Sequence, residues 1–131
     1  MLTKSAGYKL FWAGRYLERI ENVCRMSIMA YKNGLSLDQV AKELYLSGEK
    51  ELVSYLLSSL TLLREDLRQL GDEAIISALA VMESRLNMKQ RGIKYFEDVL
   101  NSAIFLGDSI EKYFSAGEMF STQRQDEVEP K

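Results

Sequence analysis

Apolar residues recur at alternating intervals of three and four along several segments of this 131-residue chain. In the first segment the positions with this spacing are Leu10, Ala13, Leu17, Ile20, Cys24, Ser27 and Tyr31. A mean period near 3.5 residues places them on one face of an α-helix, as a seam for packing against other helices. The helix is predicted to end at Asn33-Gly34, because both residues tolerate the left-handed conformation that closes a helix.

Three later segments have seams with the same spacing. They are Leu56, Leu60, Leu63, Leu67 and Leu70; then Ile75, Leu79, Met82 and Leu86; and finally Phe96, Val99, Ala103, Leu106, Ile110 and Tyr113. Gly71 is a natural helix stop, and Asp72 is a natural cap for the helix that follows. Arg91-Gly92 predicts the end of that helix, and Gly107-Asp108 leaves open whether the last segment is one helix or two.

Between the first and second long segments, Ser36-Leu37-Asp38-Gln39 has the Ser-x-x-Gln form of a capping box. It predicts a short helix from about Leu37 to Leu46, and Ser47-Gly48 either bends or splits the segment there. The chain has no proline before Pro130 and no period-2 alternation that would indicate a strand. We therefore predict an all-α fold, an antiparallel four-helix bundle whose second segment is one helix or two.

The length of the chain fits one hydrophobic core. We expect residues 1–115 to form the bundle and the polar, acidic residues 116–131 to form a disordered tail. No apolar run approaches the ~20 residues that cross a bilayer, and the N-terminus lacks the pattern of a secretory signal. The expected location is the cytoplasm. Apolar side chains beyond the second long seam, at Leu52, Val53, Leu57 and Leu62, predict a homo-oligomer.

Histidine is absent from the sequence, and the single cysteine, Cys24, lies on the first seam. The commonest general base and transition-metal ligand is therefore missing, and the Glu-x-x-His pairs of di-iron bundles are excluded. No glycine-rich phosphate loop or metal-ligand spacing occurs. We expect no metal and no cofactor. A net charge of −2 argues against general nucleic-acid binding.

The first segment also has a charged face, called here the Arg/Glu stripe. It consists of Arg15, Glu18, Arg19, Glu21, Asn22 and Arg25, with Tyr16 beside it. One interpretation is a solvated face held by weak pairs such as Arg15 with Glu18 and Glu21 with Arg25. The other is a binding surface for an anion, a peptide or a partner protein, since arginines form planar, bidentate contacts with carboxylates and phosphates.

The residues around this stripe resemble the opening helix of the alpha-E domain family, which comprises bacterial and archaeal helical proteins. The resemblance lies in an aromatic pair, then G-R-Y-L-E-R, then E-N and a further arginine, here Phe11, Trp12, Gly14, Arg15, Tyr16, Leu17, Glu18, Arg19, Glu21, Asn22 and Arg25. Family members are usually more than twice this long, so the resemblance implies a short, single-bundle representative. The family also repeats a charged cluster on a later helix, for which Glu83, Ser84, Arg85 and Asn87 are the candidates.

The resemblance implies an accessory helical domain that works with an ATP-grasp or transglutaminase-like partner in forming amide or peptide bonds. We therefore favour a non-catalytic interaction module, with no catalytic residues, whose Arg/Glu stripe faces a ligase-type partner or its substrate. Two alternatives stay open. One is an enzyme acting on a small anionic or amide substrate with Glu18 or Glu83 as the acid–base group, and the other is a purely structural, self-assembling bundle.

Overall fold

A computed structural model describes the backbone of residues 3–128 and the side chains of residues 3–115. This part of the chain folds into five α-helices and contains no β-strand. The helices are α1 (Lys4–Lys32), α2 (Leu37–Glu43), α3 (Glu49–Leu67), α4 (Glu73–Leu86) and α5 (Ile93–Val128). A short 3₁₀ turn, Arg68–Leu70, follows α3. The predicted all-α class is confirmed.

The four longer helices pack as a bundle in which α1 lies against α3 and α5, and α4 lies against the same two helices. The first and fourth helices are therefore diagonal to each other. The short α2 packs across α1 and α3 at the end of the bundle. Among the described residues, no helix combines the length and the apolar character needed to cross a membrane.

The core includes the central positions of the seams that the sequence predicts. Ile20 and Cys24 of α1, Leu60 of α3, Met82 of α4 and Phe96 of α5 are all at most 2% exposed. The outermost seam positions, which are Leu10, Tyr31, Leu70, Ile110 and Tyr113, are only partly buried against this core. Packing therefore decreases toward the ends of the bundle, where a helix has fewer neighbours.

Local hydrogen bonds fix the helix ends at the expected positions. The N–H of Ala6 donates to Thr3 Oγ1 at 3.0 Å and the N–H of Ile75 donates to Asp72 Oδ2 at 3.1 Å, so both caps satisfy an N–H group that the helix itself leaves unpaired. Gly34 and Gly71 have φ angles of 72° and 59°, the left-handed conformation that glycine adopts without steric cost. The predicted stops of α1 and α3 are confirmed.

The second segment divides into two helices at Tyr45. Its φ angle is 60°, and the N–H of Leu46 donates back to the carbonyl of Ala41 at 2.8 Å, which closes α2. The N–H of Ser36 donates to Gln39 Oε1 at 3.1 Å, as a capping box requires. The N–H of Glu49 donates to Asp38 Oδ1 at 2.9 Å, so the start of α3 is tied to α2.

The end of α4 differs from the prediction. The helix stops at Leu86 rather than at Arg91-Gly92, because Asn87 caps it by donating from Nδ2 to the carbonyl of Glu83 at 2.9 Å. The connection is held by two tyrosines, since Tyr95 Oη donates to the carbonyl of Leu86 at 2.7 Å and Tyr31 Oη donates to that of Arg91 at 3.2 Å.

The last segment is one helix, because Gly107-Asp108 does not interrupt α5. A Cβ atom at Gly107 would lie 3.7 Å from Leu17 Cδ2, so α1 and α5 approach closely there. The backbone of α5 continues as helix to Val128. Residues 116–128 contain no proline, which would remove a helical N–H donor. The boundary at residue 115 and the disordered tail expected after it stay predictions. Residues 129–131 lie outside the described residues.

Most of the apolar side chains of α3 that lie outside its seam are buried or partly buried within the chain. Leu52 and Val53 are 0% and 7% exposed, and Leu57 is partly buried. Only Leu62, at 45%, is exposed. The argument from α3 to an oligomer is therefore wrong for Leu52 and Val53, which are buried within the chain, and is weaker for Leu57, which is partly buried. The homo-oligomer itself stays a prediction.

Candidate functional site

The Arg/Glu stripe lies on the face of α1 that points away from the bundle. Five of its residues are exposed, Arg15, Glu18, Arg19, Asn22 and Arg25, and Glu21 is half-buried at its margin. The opposite face of α1 carries the buried seam. Helical geometry therefore brings all six predicted residues of the stripe together on one surface.

Within the described residues, the stripe contains a single ion pair. Arg25 Nη2 lies 3.7 Å from Glu21 Oε1, one turn earlier on the same helix. The expected pair between Arg15 and Glu18 does not form. A loose pair of this kind, with Arg25 57% exposed, contributes little to the stability of the fold. The charges are thus not locked to one another.

The six residues of the stripe line a depression of about 340 Å³. All of them come from α1, so no second helix closes the depression from above. The arrangement presents three guanidinium groups and two carboxylates to whatever approaches the helix from outside. Chemically, it can bind planar anions by charge-assisted hydrogen bonds, and it offers no enclosed space in which a small substrate would be shielded from water.

Tyr16 joins the stripe to an aromatic group near the start of α1. The guanidinium carbon of Arg19 lies 5.3 Å from the centre of the Tyr16 ring, a cation–π contact, and the Tyr16 ring is 5.9 Å from that of Trp12. Trp12 also meets Phe11 edge to face at 5.7 Å. These contacts connect Arg19, in the middle of the stripe, to the aromatic side chains near the start of α1.

Exposed apolar side chains flank the stripe at both ends, a feature that the prediction missed. Phe11 is 62% exposed on one side and Met29 is 58% exposed on the other. The spacing contained the signal, because a second three-and-four pattern runs along the outer face. Its positions are Phe11, Arg15, Glu18, Asn22, Arg25 and Met29. The outer face is therefore a continuous seam with a polar centre and apolar ends.

The second candidate cluster does not form one site. Glu83 pairs with Arg64 of α3, whereas Arg85 points to α5, where its Nη1 lies 3.4 Å from Asp98 Oδ2. Residues two apart on a helix face different directions, which explains the divergence. Ser84 and Asn87 are exposed near Arg85. Because α4 is diagonal to α1, neither Glu83 nor Arg85 adds to the stripe.

Cys24 lies under the stripe, on the buried side of α1. Burial raises the pKa of its thiol from an ordinary 9.0 to about 12, with a smaller contribution from the Glu21 carboxylate and an opposing one from Arg25. The thiol is therefore neutral in the folded protein. Among residues whose side chains are described, no group of three metal-ligating side chains comes together.

Comparison with known families matches residues 1–110 to Alpha-E, described as a predicted alpha-helical domain with a conserved ER motif. The match covers most of the chain, so this protein belongs to the Alpha-E family. The sequence contains one Glu-Arg dipeptide, Glu18-Arg19, and it lies at the centre of the stripe. No curated protein and no solved structure matches the chain.

Proposed function

Because the chain is an Alpha-E domain, we propose that it is a non-catalytic interaction module whose Arg/Glu stripe docks a partner protein. The partner is a peptide- or amide-forming ligase, of the ATP-grasp or transglutaminase-like kind, or its substrate. The observation that carries this proposal is the outer seam of α1, where exposed charges with one loose ion pair lie between the exposed side chains of Phe11 and Met29. A surface of this composition is typical of an interface, which combines apolar anchors with arginine.

The length of the outer seam also supports a protein partner. Phe11 and Met29 are eighteen residues apart on one helix, which is about 27 Å at 1.5 Å per residue. A small substrate contacts a much shorter stretch, whereas a partner helix lying along α1 would meet every position of the seam. The carboxylates and guanidiniums at the centre would then select the register of the partner.

The two alternative functions fit this surface less well. An enzyme using Glu18 would need that carboxylate at the floor of a closed pocket, but Glu18 lines an open depression on a single helix. Glu83 is paired with Arg64 across the α3 and α4 interface, a position that suits a structural role. A purely structural network would be buried with each charge paired, and most of the stripe is exposed.

The test is a binding measurement with purified ATP-grasp and transglutaminase-like proteins from the same organism. Biolayer interferometry compares the native chain with an Arg15→Glu/Arg19→Glu variant. A Lys42→Glu/Lys50→Glu variant is the matched control, since it makes the same change of charge at exposed sites of α2 and α3. We expect the stripe variant to bind at least about tenfold more weakly and the control to stay within about twofold.

Equal binding by the native chain and both variants would mean that the stripe is not part of the interface. Failure of the native chain to bind at about 10 μM would refute the ligase partnership. Turnover of an ester, peptide or phosphate substrate that disappears in a Glu18→Gln variant would instead support the enzyme.

A further inference from the structure

A larger cavity, of about 1030 Å³, lies where α4 turns into α5. Most of its lining residues are exposed, so it is an open trough, called here the α4–α5 trough. Four of them are cations, Arg85, Lys89, Arg91 and Lys94, and one is a carboxylate, Asp98. The chain as a whole has a net charge of −2. The lining of the trough is therefore net positive, whereas the chain as a whole is acidic.

Most of this positive charge is not neutralised by the protein itself. Asp98 Oδ2 lies 3.0 Å from Lys94 Nζ and 3.4 Å from Arg85 Nη1, so one carboxylate serves two cations. Among the described residues, Lys89 and Arg91 form no ion pair. The Arg91 guanidinium carbon lies 5.7 Å from the centre of the Tyr95 ring, and because a guanidinium has five N–H donors, contact with one tyrosine leaves donors for an acceptor.

The trough also presents apolar surface beside these cations. Val81, Met88 and Ile93 line it and are 45%, 58% and 36% exposed. Methionine adapts to the shape of an apolar side chain that packs on it. Val81 and Leu86, the last residue of α4, are five residues apart, about 7.5 Å along the helix, which is the length of about two extended residues, and Met88 follows beyond the helix end. The surface is therefore both basic and apolar over the length of a short peptide.

We propose that the α4–α5 trough binds an acidic peptide segment in which an apolar side chain lies between carboxylates. The cations are distributed over both helices and their connection, so they suit successive carboxylates better than one compact anion. The apolar side chains offer nothing to a phosphate backbone, which argues against nucleic acid. Since α4 is diagonal to α1, this site is separate from the Arg/Glu stripe and can be occupied independently of it.

The probe is a fluorescein-labelled peptide, acetyl-Glu-Glu-Leu-Glu-Glu-amide, measured by fluorescence anisotropy against the same peptide with serine in place of leucine. We expect the leucine peptide to bind at least about threefold tighter. A Lys89→Glu/Lys94→Glu variant should lose at least about tenfold in affinity, whereas Lys42→Glu/Lys50→Glu and the stripe variant should stay within about twofold. Because the substituted lysines are exposed, circular dichroism should remain that of the native helical protein.

The proposal would be overturned if the leucine-containing peptide did not bind at about 1 mM protein. It would also be overturned if the trough variant and the control lost the same affinity. A Met88→Ser variant separates the two halves of the site, because it should abolish the preference for leucine while keeping most of the affinity for the serine peptide. An unchanged preference for leucine in this variant would contradict the proposal that the apolar side chains of the trough bind the leucine side chain. Displacement of the peptide by an oligonucleotide of equal charge, with no preference for leucine, would assign the trough to nucleic acid instead.

Discussion

The inward face of α1 is buried against the bundle, whereas its outward face is exposed to solvent. On the inward face, Leu17, Ile20 and Cys24 are at most 8% exposed against the other helices of the bundle. On the outward face, Arg15 and Glu18 extend into solvent without a mutual ion pair. One face of a helix is thus enough to fix its conformation and position. The other face is then free to carry charge patterns that contribute little to folding and that serve binding.

The largest expected effect is on the inward face. Ile20→Ala should lower the free energy of unfolding by about 2–5 kcal/mol, because Ile20 is 0% exposed and its truncation leaves a cavity between helices. Glu18→Ala, two residues away on the outward face, should change it by about 0.5 kcal/mol or less. Urea denaturation measures both. Similar losses would mean that the outward face is as important for folding as the inward one.

Alkaline pH should lower the stability of the fold through the buried thiol of Cys24. The folded thiol has a pKa of about 12, while the unfolded thiol ionises from about pH 9. The unfolded chain therefore releases a proton that the folded chain keeps, and stability falls by up to about 1.4 kcal/mol per pH unit between these values. Burial also raises the pKa of Tyr31 and Tyr95, so their contributions join above pH 10.

A Cys24→Ala variant isolates the thiol. Denaturation in reducing buffer at pH 7, 9 and 10 should show a smaller loss of stability with pH in this variant than in the native chain. Parallel curves would mean that the thiol is not buried as the structure places it.

Substitution of Ser27 should raise the free energy of unfolding rather than lower it. Its Oγ is buried in α1 and has no hydrogen-bond partner among the described residues. Ser27→Ala should therefore raise the free energy of unfolding by about 1 kcal/mol, because it removes an unsatisfied polar atom from the core. Ser58→Ala, at an exposed position of α3, is the control for helix propensity alone. The difference between the two thermal shifts measures the cost of burial, and no difference would mean that Ser27 Oγ is solvated.

The smallest effect should come from the outward ion pair. Arg25→Ala should cost less than about 0.5 kcal/mol, since its 3.7 Å contact with Glu21 lies within one exposed turn. Arg64→Ala should cost more, up to about 1 kcal/mol, because Arg64 joins α3 to Glu83 of α4. Denaturation in low and high salt compares them. A larger loss for Arg25→Ala would indicate that the stripe is a structural network.

The sequence is sufficient to predict the seams and most of the caps because these depend on neighbours along the chain. Leu17, Ile20 and Cys24 are buried as their spacing requires, and Asp72 caps α4 as its identity requires. One failure was local, since the cap that Asn87 places on the end of α4 was not predicted, and the other involves contacts between helices. Leu52 and Val53 appeared surplus because nothing in their own helix reveals that other elements cover them.

The candidate site was also predicted only in part. Helical spacing places the six residues of the Arg/Glu stripe on one surface, as predicted. Whether those charges pair is decided by distances of a few ångströms, and the pair expected between Arg15 and Glu18 is absent. The α4–α5 trough was not predicted, although Arg85 was singled out, because Lys89 and Lys94 come together only through the turn between helices.

The adjacency of α1 and α5 has a consequence for synthesis of the chain. About sixty residues separate Lys32 from Ile93, so at 5–20 residues per second the ribosome needs about 3–12 s to produce the intervening segment. During that interval the side of α1 that later meets α5, including Leu17 at the close approach to Gly107, has no permanent cover. Of the five helices described, α1 is synthesised first and is among the last to complete its packing, and this interval is when a chaperone would have access to it.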